Sequence, residues 1–552
     1  MLKLLFLEII FTIFSCIVLA YISMATAVGP WIAPTLILLA QLIPWQNYTR
    51  SNGKFRELIL SQTAGSLGGI ISAGIGFTLP MLFFINQKQF FAMLSSPLTF
   101  AVTLGSITLV AGGLGSFLGR IFAPIFLRDK SLSFPVSKMI TETATQAQEG
   151  HTSNLLKGIF GSWGTIFLRE GLTLNSIFSF PALIGKKALF LGYPMIPKIF
   201  PLSLTPTLWA IGWVAGLGMA LPLFVGLLSK YLVLYPLNNH LSWTGLSLFP
   251  KMGEIEFASA FCSGIILFEV GTSTLRQIAC SNLRQLFFPL SNLKNGLNSF
   301  FSFLSIKGDG HFLEKIEPWA VVVTSILFLW WLGVPFIVSI FVPLACAAAT
   351  YHIGYFGGRT GLAPFGRFIT LFAMLPAALI FTVKTLPMTY LCTFTAICLA
   401  AAVNLIFQLK VGKLASIEDT AIRKHHWIGL LLSALFVGLC FWLLLSNLKL
   451  GSTELFAHRA KARALLLNSL SFHPTVLFLG GVFGAVIKLL KLSPIMIFGG
   501  ILMPNELTMG LFAGAMSSKL VRDPDKHRIF WTGIFAGESL WVTFMLLLRV
   551  IF

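Results

Sequence analysis

Residues 493–520 run from Ser493-Pro494 through Phe498-Gly499-Gly500 to Lys519-Leu520, long and apolar enough to cross a bilayer, with Met503-Pro504-Asn505-Glu506 at the midpoint. A proline there removes a helical donor and crowds the preceding turn, so peptide groups are left without intrahelical partners. Within hydrocarbon, interrupted backbone is tolerated only where protein or a water-lined cavity satisfies it. Pro504, Asn505 and Glu506 are therefore candidate parts of a solute site in transport machinery.

Composition narrows the class. Of 552 residues, 56% are hydrophobic and 11% charged, with mean hydropathy +0.86. Only a polytopic, all-α integral membrane protein fits those values. The net charge of +20, from 39 basic and 19 acidic residues, is assigned to loops facing the anionic headgroups of membrane lipid, and no nucleic-acid partner is read from it. The seven cysteines lie in or beside apolar segments without a C-x-x-C pair. They are read as packing residues, and no metal or cofactor is expected.

Near the start, Ala25-Thr26-Ala27 imitates a signal-peptidase site, but Val28 to Trp45 follows at once as a second apolar span broken at Pro30. An uncleaved helical hairpin is the expectation. Arg50, Lys54 and Arg56 then place that loop, and the N-terminus, on the cytoplasmic side of the cell membrane. Further candidate spans are 58–85, 97–127, 153–170, 206–235, 255–280, 318–332, 333–355, 366–385, 387–408, 427–446, 473–491, 494–520 and 529–551. At ~20 residues per span they amount to about 14 to 16 crossings or half-crossings. Residues 285–316 form the most polar connection, dividing a repeat at 1–284 from one at 317–552. The stretches 409–426 and 447–463 are both basic although one span separates them, which leaves the C-terminal orientation open.

Internal repetition organises these spans. Phe257 to Gly264, continuing to Arg276, aligns without a gap on Phe530 to Gly537 and Arg549, an offset of 273. Leu223-Phe-Val-Gly226 with Lys230 echoes Leu511-Phe-Ala-Gly514 with Lys519, and Val136-Ser-Lys138 echoes Val411-Gly-Lys413. Two copies of one hydrophobic unit, with the site between them, are a frequent plan for secondary carriers.

With only 19 acids in the chain, an acid in an apolar span is informative, since burying its charge at mid-bilayer costs at least ~2.5–3.5 kcal/mol. Glu8, Glu142, Glu269, Glu506 and Glu538 are such acids; Glu8, close to Lys3, is read as interfacial. A carboxylate in apolar surroundings can exchange a proton near neutral pH, as a proton-coupled carrier needs. Its structural alternative is a neutral or Arg-paired glutamate that holds helices together.

Arg120, Arg359, Arg367, Lys410 and Lys413 end spans, where such side chains commonly snorkel to headgroups and can equally meet a substrate carboxylate. The segment Gly357-Gly-Arg359-Thr-Gly-Leu-Ala-Pro364-Phe-Gly-Arg367 combines open backbone with two cations, as an anion-receiving loop would. Gln62-Thr63, just before Gly65-Ser-Leu-Gly68-Gly69, suits close helix packing or the lining of a peptide path. His425-His426 is read as interfacial. There is no G-x-x-x-x-G-K-[ST], H-E-x-x-H or G-x-S-x-G, so ATP hydrolysis by a Walker site, metalloprotease and lipase chemistry are not indicated. No enzymatic activity is expected.

Taken in order, several segments resemble the oligopeptide transporter superfamily, which includes yellow-stripe-like metal-chelate carriers. Gln62-Thr63-Ala64-Gly65-Ser66 is similar to its Q-T-A-x-S segment, and Phe77-Thr78-Leu79-Pro80 to F-T-L-P. Leu132-Ser-Phe134-Pro135 with Glu142 resembles L-P-F-P-E-G with its downstream acid. Leu409-Lys410-Val411-Gly412 resembles L-K-T-G, Gly500 to Pro504 the G-x-x-x-P break, and Ala536-Gly537-Glu538-Ser539-Leu540 A-G-E-A-L. The chain departs at Val136-Ser137, in place of Glu-Gly, and at Ala363 to Arg367, in place of N-P-x-S-G. The resemblance implies proton-coupled import of small peptides or peptide-like metal chelates.

The resulting expectation has Glu142, Glu506 and Glu538 as proton-coupling or cavity acids. Arg359, Arg367 and Lys410 receive substrate carboxylate, Gln62, Thr63 and Asn505 add polar lining, and breaks at Pro364 and Pro504 permit rocking of one part on the other. A homo-oligomer is compatible with this. Two other classes fit the composition: a channel or redox-complex membrane subunit, and a membrane-embedded transferase.

Overall fold

The computed structural model describes residues 2–25, 32–40, 52–129, 132, 134–148, 152–170, 172–174, 178–180, 205–237, 318–360, 365–379, 381, 383–452, 455–468, 474–492, 494–502 and 505–523, with part of 257–272 and of 527–541. The connection 285–316, the segment 361–364 and residues 503 and 504 lie outside this set.

The protein is an all-α polytopic membrane protein, with one short β-hairpin pairing Leu172–Leu174 and Phe178–Phe180. In chain order the helices are α1 (Leu2–Ala25), α2 (Ala33–Ala40), α3 (Asn52–Thr78), α4 (Met81–Ile85), α5 (Gln87–Leu94), α6 (Pro97–Arg128), α7 (Pro135–Gln148) and α8 (Thr152–Glu170). After the hairpin come α9 (Pro206–Ala215), α10 (Leu217–Ser229, passing into a π-turn at Lys230–Leu234), α11 (Pro318–Trp331), α12 (Phe336–Thr360) and α13 (Phe365–Ile369). The chain continues with α14 (Thr385–Leu414), α15 (Asp419–Asn447), α16 (His458–Asn468), α17 (Pro474–Leu489), α18 (Pro494–Leu502) and α19 (Asn505–Leu520).

Among the described residues, six helices are long and apolar enough to cross a membrane. The most enclosed is α14, with 94% of its most apolar 18 residues buried. It packs on α3, α6 and α12. Leu98, Leu435, Leu489 and Trp331 are exposed outside this core, as side chains facing lipid would be.

Small residues let these helices touch backbone to backbone. A Cβ on Gly115 would lie 2.1 Å from the Cys398 carbonyl oxygen, and one on Gly119 2.7 Å from that of Ala402, both on α14. On α15, a Cβ at Gly429 would meet the Ala64 carbonyl oxygen at 2.5 Å. That oxygen belongs to α3, and one turn further along α3 a Cβ on Gly68 would lie 3.1 Å from the Ser433 hydroxyl of α15.

The sharpest regularity joins the two broken segments. The first is interrupted at Gly216, whose φ of +69° suits glycine; the second comprises α18, described to Leu502, and α19, described from Asn505. They lie antiparallel, α9 on α19 and α10 on α18. A Cβ on Gly212 would sit 2.1 Å from the Leu511 carbonyl oxygen, and one on Gly500 1.9 Å from that of Leu223. Likewise Gly226 faces the Ile497 oxygen at 2.2 Å and Gly514 the Trp209 oxygen at 2.2 Å. Every partner is related by one offset: 500 − 212, 511 − 223, 514 − 226 and 497 − 209 are each 288. Phe224 and Phe512, also 288 apart, stack on each other at 4.2 Å. Reciprocal contacts with a self-paired residue are what a two-fold relation produces.

The relation extends to the short helices. Phe134 and Ala457, 323 residues apart, are non-glycine residues with φ of +46° and +49° immediately before α7 and α16. The Phe134 N–H donates to the Gly358 carbonyl at 2.7 Å, and the Ala457 N–H to that of Met24 at 2.6 Å. The expected echo of Val136 with Val411 is not reproduced in position, because Val136 opens α7 whereas Val411 closes α14; the structural counterpart of α7 is α16. The second basic stretch also changes meaning. His458 and Arg463 are 6% and 4% exposed, so α16 is interior and not a loop of the kind that the charge rule counts.

Gly500→Ala and Gly226→Ala each press a methyl group into backbone that cannot swing aside, and each is expected to lower the Tm of the purified protein by several degrees. Gly161 has nothing within 4 Å, so Gly161→Ala is expected to hold or raise Tm, by the roughly 0.5–1 kcal/mol that helical alanine gains over glycine. Equal Tm for all three variants would mean that the seam is not tightly packed.

Candidate functional site

Gln62, Thr63, Ser66 and Gln408 meet where α3 and α14 cross, none more than 3% exposed. The Gln62 amide donates to Gln408 Oε1 at 2.6 Å, and the Gln408 amide donates to Ser66 Oγ at 3.1 Å. The Thr63 hydroxyl lies 3.2 Å from Gln408 Oε1 and 2.7 Å from the Ile59 carbonyl, and its single proton serves one of the two. Gln62 and Thr63 are thus together, as expected, but turned toward another helix. They act as interhelical polar glue.

Lys410, on the same helix as Gln408, is half-buried, with its ammonium 5.3 Å from the centre of the Phe134 ring. Phe134 in turn meets Phe407 edge-on, and the Ser137 hydroxyl donates to the Phe407 carbonyl at 3.0 Å. The segments around Phe134-Pro135 and Leu409-Lys410, distant in sequence, form one junction.

At the second break, Asn505 starts α19 and its amide donates to the Tyr231 hydroxyl beyond the first break. Glu506 is exposed in the first described helical turn, where an acid complements the helix N-terminus. Glu538 is 2% exposed, beside Gly537, whose carbonyl accepts from Trp163 Nε1 at 2.8 Å. The side chains of Glu142, Arg359 and Arg367, and residues Pro364 and Pro504, lie outside the described residues.

Three features escaped sequence reasoning. Glu8 is 1% exposed and pairs with His425 Nδ1, tying α1 to α15. The proximity of Lys3 had suggested an interfacial glutamate, yet the N-terminal helix sinks Glu8 against α15. His426 is fully buried with Nε2 2.9 Å from the Ser116 hydroxyl, and the two histidines leave opposite sides of one helix to reach α1 and α6. Glu269 is also paired, with Lys488 at 3.1 Å.

The third feature is the basic start of α16, His458-Arg459-Ala460-Lys461-Ala462-Arg463. Arg463 Nη1 donates to the Phe77 carbonyl in the last turn of α3 and to the Arg459 carbonyl. A Cβ on Gly366 would lie 2.9 Å from Arg463 Nη2, so this guanidinium reaches the glycine-rich break that had suggested an anion-receiving loop. The His458 ring lies against Phe498 and Gly499 of α18. Lys461 lies over the rings of Phe456 and Phe84 at 4.8 and 5.9 Å. This short, polar helix is not one of the apolar spans. Burial lowers the Lys461 ammonium from its ordinary value, and the charge of Lys230 adds to that. Burial, then Arg459, Arg463 and Lys461, pushes His458 down to about 3, leaving a neutral imidazole at physiological pH.

Residues 2–547 match the family model of the OPT oligopeptide transporter protein. The chain belongs to that family. No curated protein sequence matches it. Membership makes the chain a membrane transporter, and the junctions of Gln62 with Gln408 and of Phe134 with Lys410 show how segments that carried the resemblance come together in space.

Gln408→Leu removes the acceptor for the Gln62 amide, a loss of about 1–3 kcal/mol for a stranded buried polar group. It is expected to lower Tm, and Gln62→Leu with Gln408→Leu is expected to cost less than the sum of the single changes. Strict additivity in a double-mutant cycle would show that the two amides do not depend on each other.

Proposed function

We propose that this oligopeptide transporter family member is a secondary active carrier that imports small oligopeptides or peptide-like metal chelates together with protons. The reading rests above all on the reciprocal packing of α9 and α10, broken at Gly216, against α18 and α19, with Asn505 of one pair bonded to Tyr231 of the other. Breaks opposed across a two-fold are the usual setting of a solute site in carriers built from inverted repeats. The boundary between the repeats is placed at 285–316, and the two breaks are the hinges on which one part rocks against the other.

Proton coupling falls to acids that are enclosed. Glu538 is one; Glu142, whose side chain lies outside the described residues, is retained on its position in the sequence. Glu8 joins them, as a buried carboxylate held by the His425 imidazole of another helix, a contact that relative movement of the two helices would break. Glu269 is assigned a structural role by its Lys488 partner, and Glu506 a helix-capping one.

The measurement is uptake into proteoliposomes of di- to pentapeptides and of ferric and zinc chelates, with and without an imposed pH gradient. Saturable accumulation driven by the gradient is expected. Glu538→Gln and Glu8→Gln are expected to lose gradient-driven accumulation at least tenfold while keeping solute exchange. Normal accumulation by a folded Glu538→Gln protein removes that acid from coupling, and flux that does not saturate replaces the carrier with a channel.

A further inference from the structure

We propose that the basic start of α16 binds the anionic end of the transported solute, with Lys461 and Arg463 supplying charge to a carboxylate and His458 an N–H. The inference rests on the carrier reading above and names the substrate class: a solute bearing at least one carboxylate, as a free peptide C-terminus or a chelator arm.

The argument begins with an imbalance. A helix N-terminus already carries partial positive charge and favours acids, yet α16 opens with three cations and a histidine within its first six residues. Buried charges are ordinarily paired. Among the described residues, no carboxylate forms an ion pair with His458, Lys461 or Arg463, whereas buried Glu8 and Glu269 each have a partner. Both ring nitrogens of His458 and Nε of Arg463 lack hydrogen-bond partners, on side chains 94% and 96% buried. The contact of Arg463 with Phe77 explains one face of the guanidinium as a cap on α3, and leaves Nε without a role.

Position supplies the rest. The cluster stands where the end of α3, the start of α13 at Gly366 and α18 at Phe498 and Gly499 converge. The π-turn that starts at Lys230 adds its charge to that of Lys461. This places the cations beside the broken pair, within the region that the carrier reading assigns to the solute. A carboxylate accepting from Lys461 and Arg463 would restore the missing charge and satisfy the orphaned donors. A lipid phosphate has the same chemistry, so the test separates the two sources.

Full-length protein in phosphatidylcholine nanodiscs is titrated with citrate, with trialanine and with trialanine amide, against sodium chloride at matched ionic strength, following Tm. Citrate and trialanine are expected to raise Tm saturably and the amide is not. In Lys461→Gln and His458→Gln both affinities are expected to fall at least tenfold. The Tm of Lys461→Gln without anion is expected to equal or exceed that of the wild type, since an uncompensated buried charge is gone; a purely structural lysine would lower it. Identical titrations for wild type and Lys461→Gln, or no response beyond that to chloride, overturn the proposal. If phosphatidylglycerol nanodiscs raise Tm in the wild type alone and abolish the citrate response, the site belongs to lipid and the solute assignment falls. Uptake separates the levels: unchanged KM for peptide uptake in Lys461→Gln sinks the anion site and leaves the carrier, whereas no uptake of any solute by the wild type sinks the carrier reading whatever the titrations show.

Discussion

Direct contact of one helix backbone with another, at positions where a side chain would not fit, is what the architecture depends on. In lipid there is little hydrophobic gain in bringing two apolar helices together, so association relies on close packing and on polar contacts between helices. Gly212, Gly226, Gly500 and Gly514 place four carbonyl oxygens where a Cβ would stand, and the single offset relating them turns packing into symmetry. The same contacts decide where the interruptions fall, because two helices locked at both ends can tolerate a break between the locks. A break with no partner helix would leave its peptide groups to lipid.

The span pattern was largely legible because it follows from hydropathy. The expected spans at 97–127, 387–408 and 427–446 correspond to α6, α14 and α15, and the described parts of the run at 494–520 are α18 and α19. The offset of Leu223 to Gly226 from Leu511 to Gly514 was visible, and Phe224 on Phe512 gives it physical meaning. What stayed hidden were elements defined by partners and not by composition. Phe134 and Ala457 share a backbone shape with almost no shared sequence around them, so the match of α7 with α16 could not be seen and a chance likeness between Val136 and Val411 took its place. Glu8 gave a signal as an acid in an apolar run, but its burial comes from His425, whose approach no local pattern encodes. The cations of α16 looked like an ordinary basic loop, since depth in a bundle is a tertiary property.

Polar groups in the interior are handled in three ways. Gln62, Thr63, Ser66 and Gln408 satisfy one another and carry no net charge, which suits fixed packing. Glu8 with His425 and Glu269 with Lys488 are paired locally. On α16 neither remedy is applied to His458, Lys461 or Arg463. Among the described residues, a buried guanidinium, a half-buried ammonium and a neutral imidazole stand together here with no carboxylate beside them, a costly arrangement of the kind kept at sites that must receive something from outside.

The partners in the Glu8 and His425 contact are 417 residues apart in the chain. During synthesis α1 is made long before α15, and its Glu8 must meanwhile do without His425. Its neighbour α3 emerges early and holds it through the Ser15 hydroxyl on the Gly65 carbonyl, but the partner of Glu8 arrives only with α15. Helix α1 is thus made early and seated late, which makes its final seating a record of whether the distant α15 has been assembled.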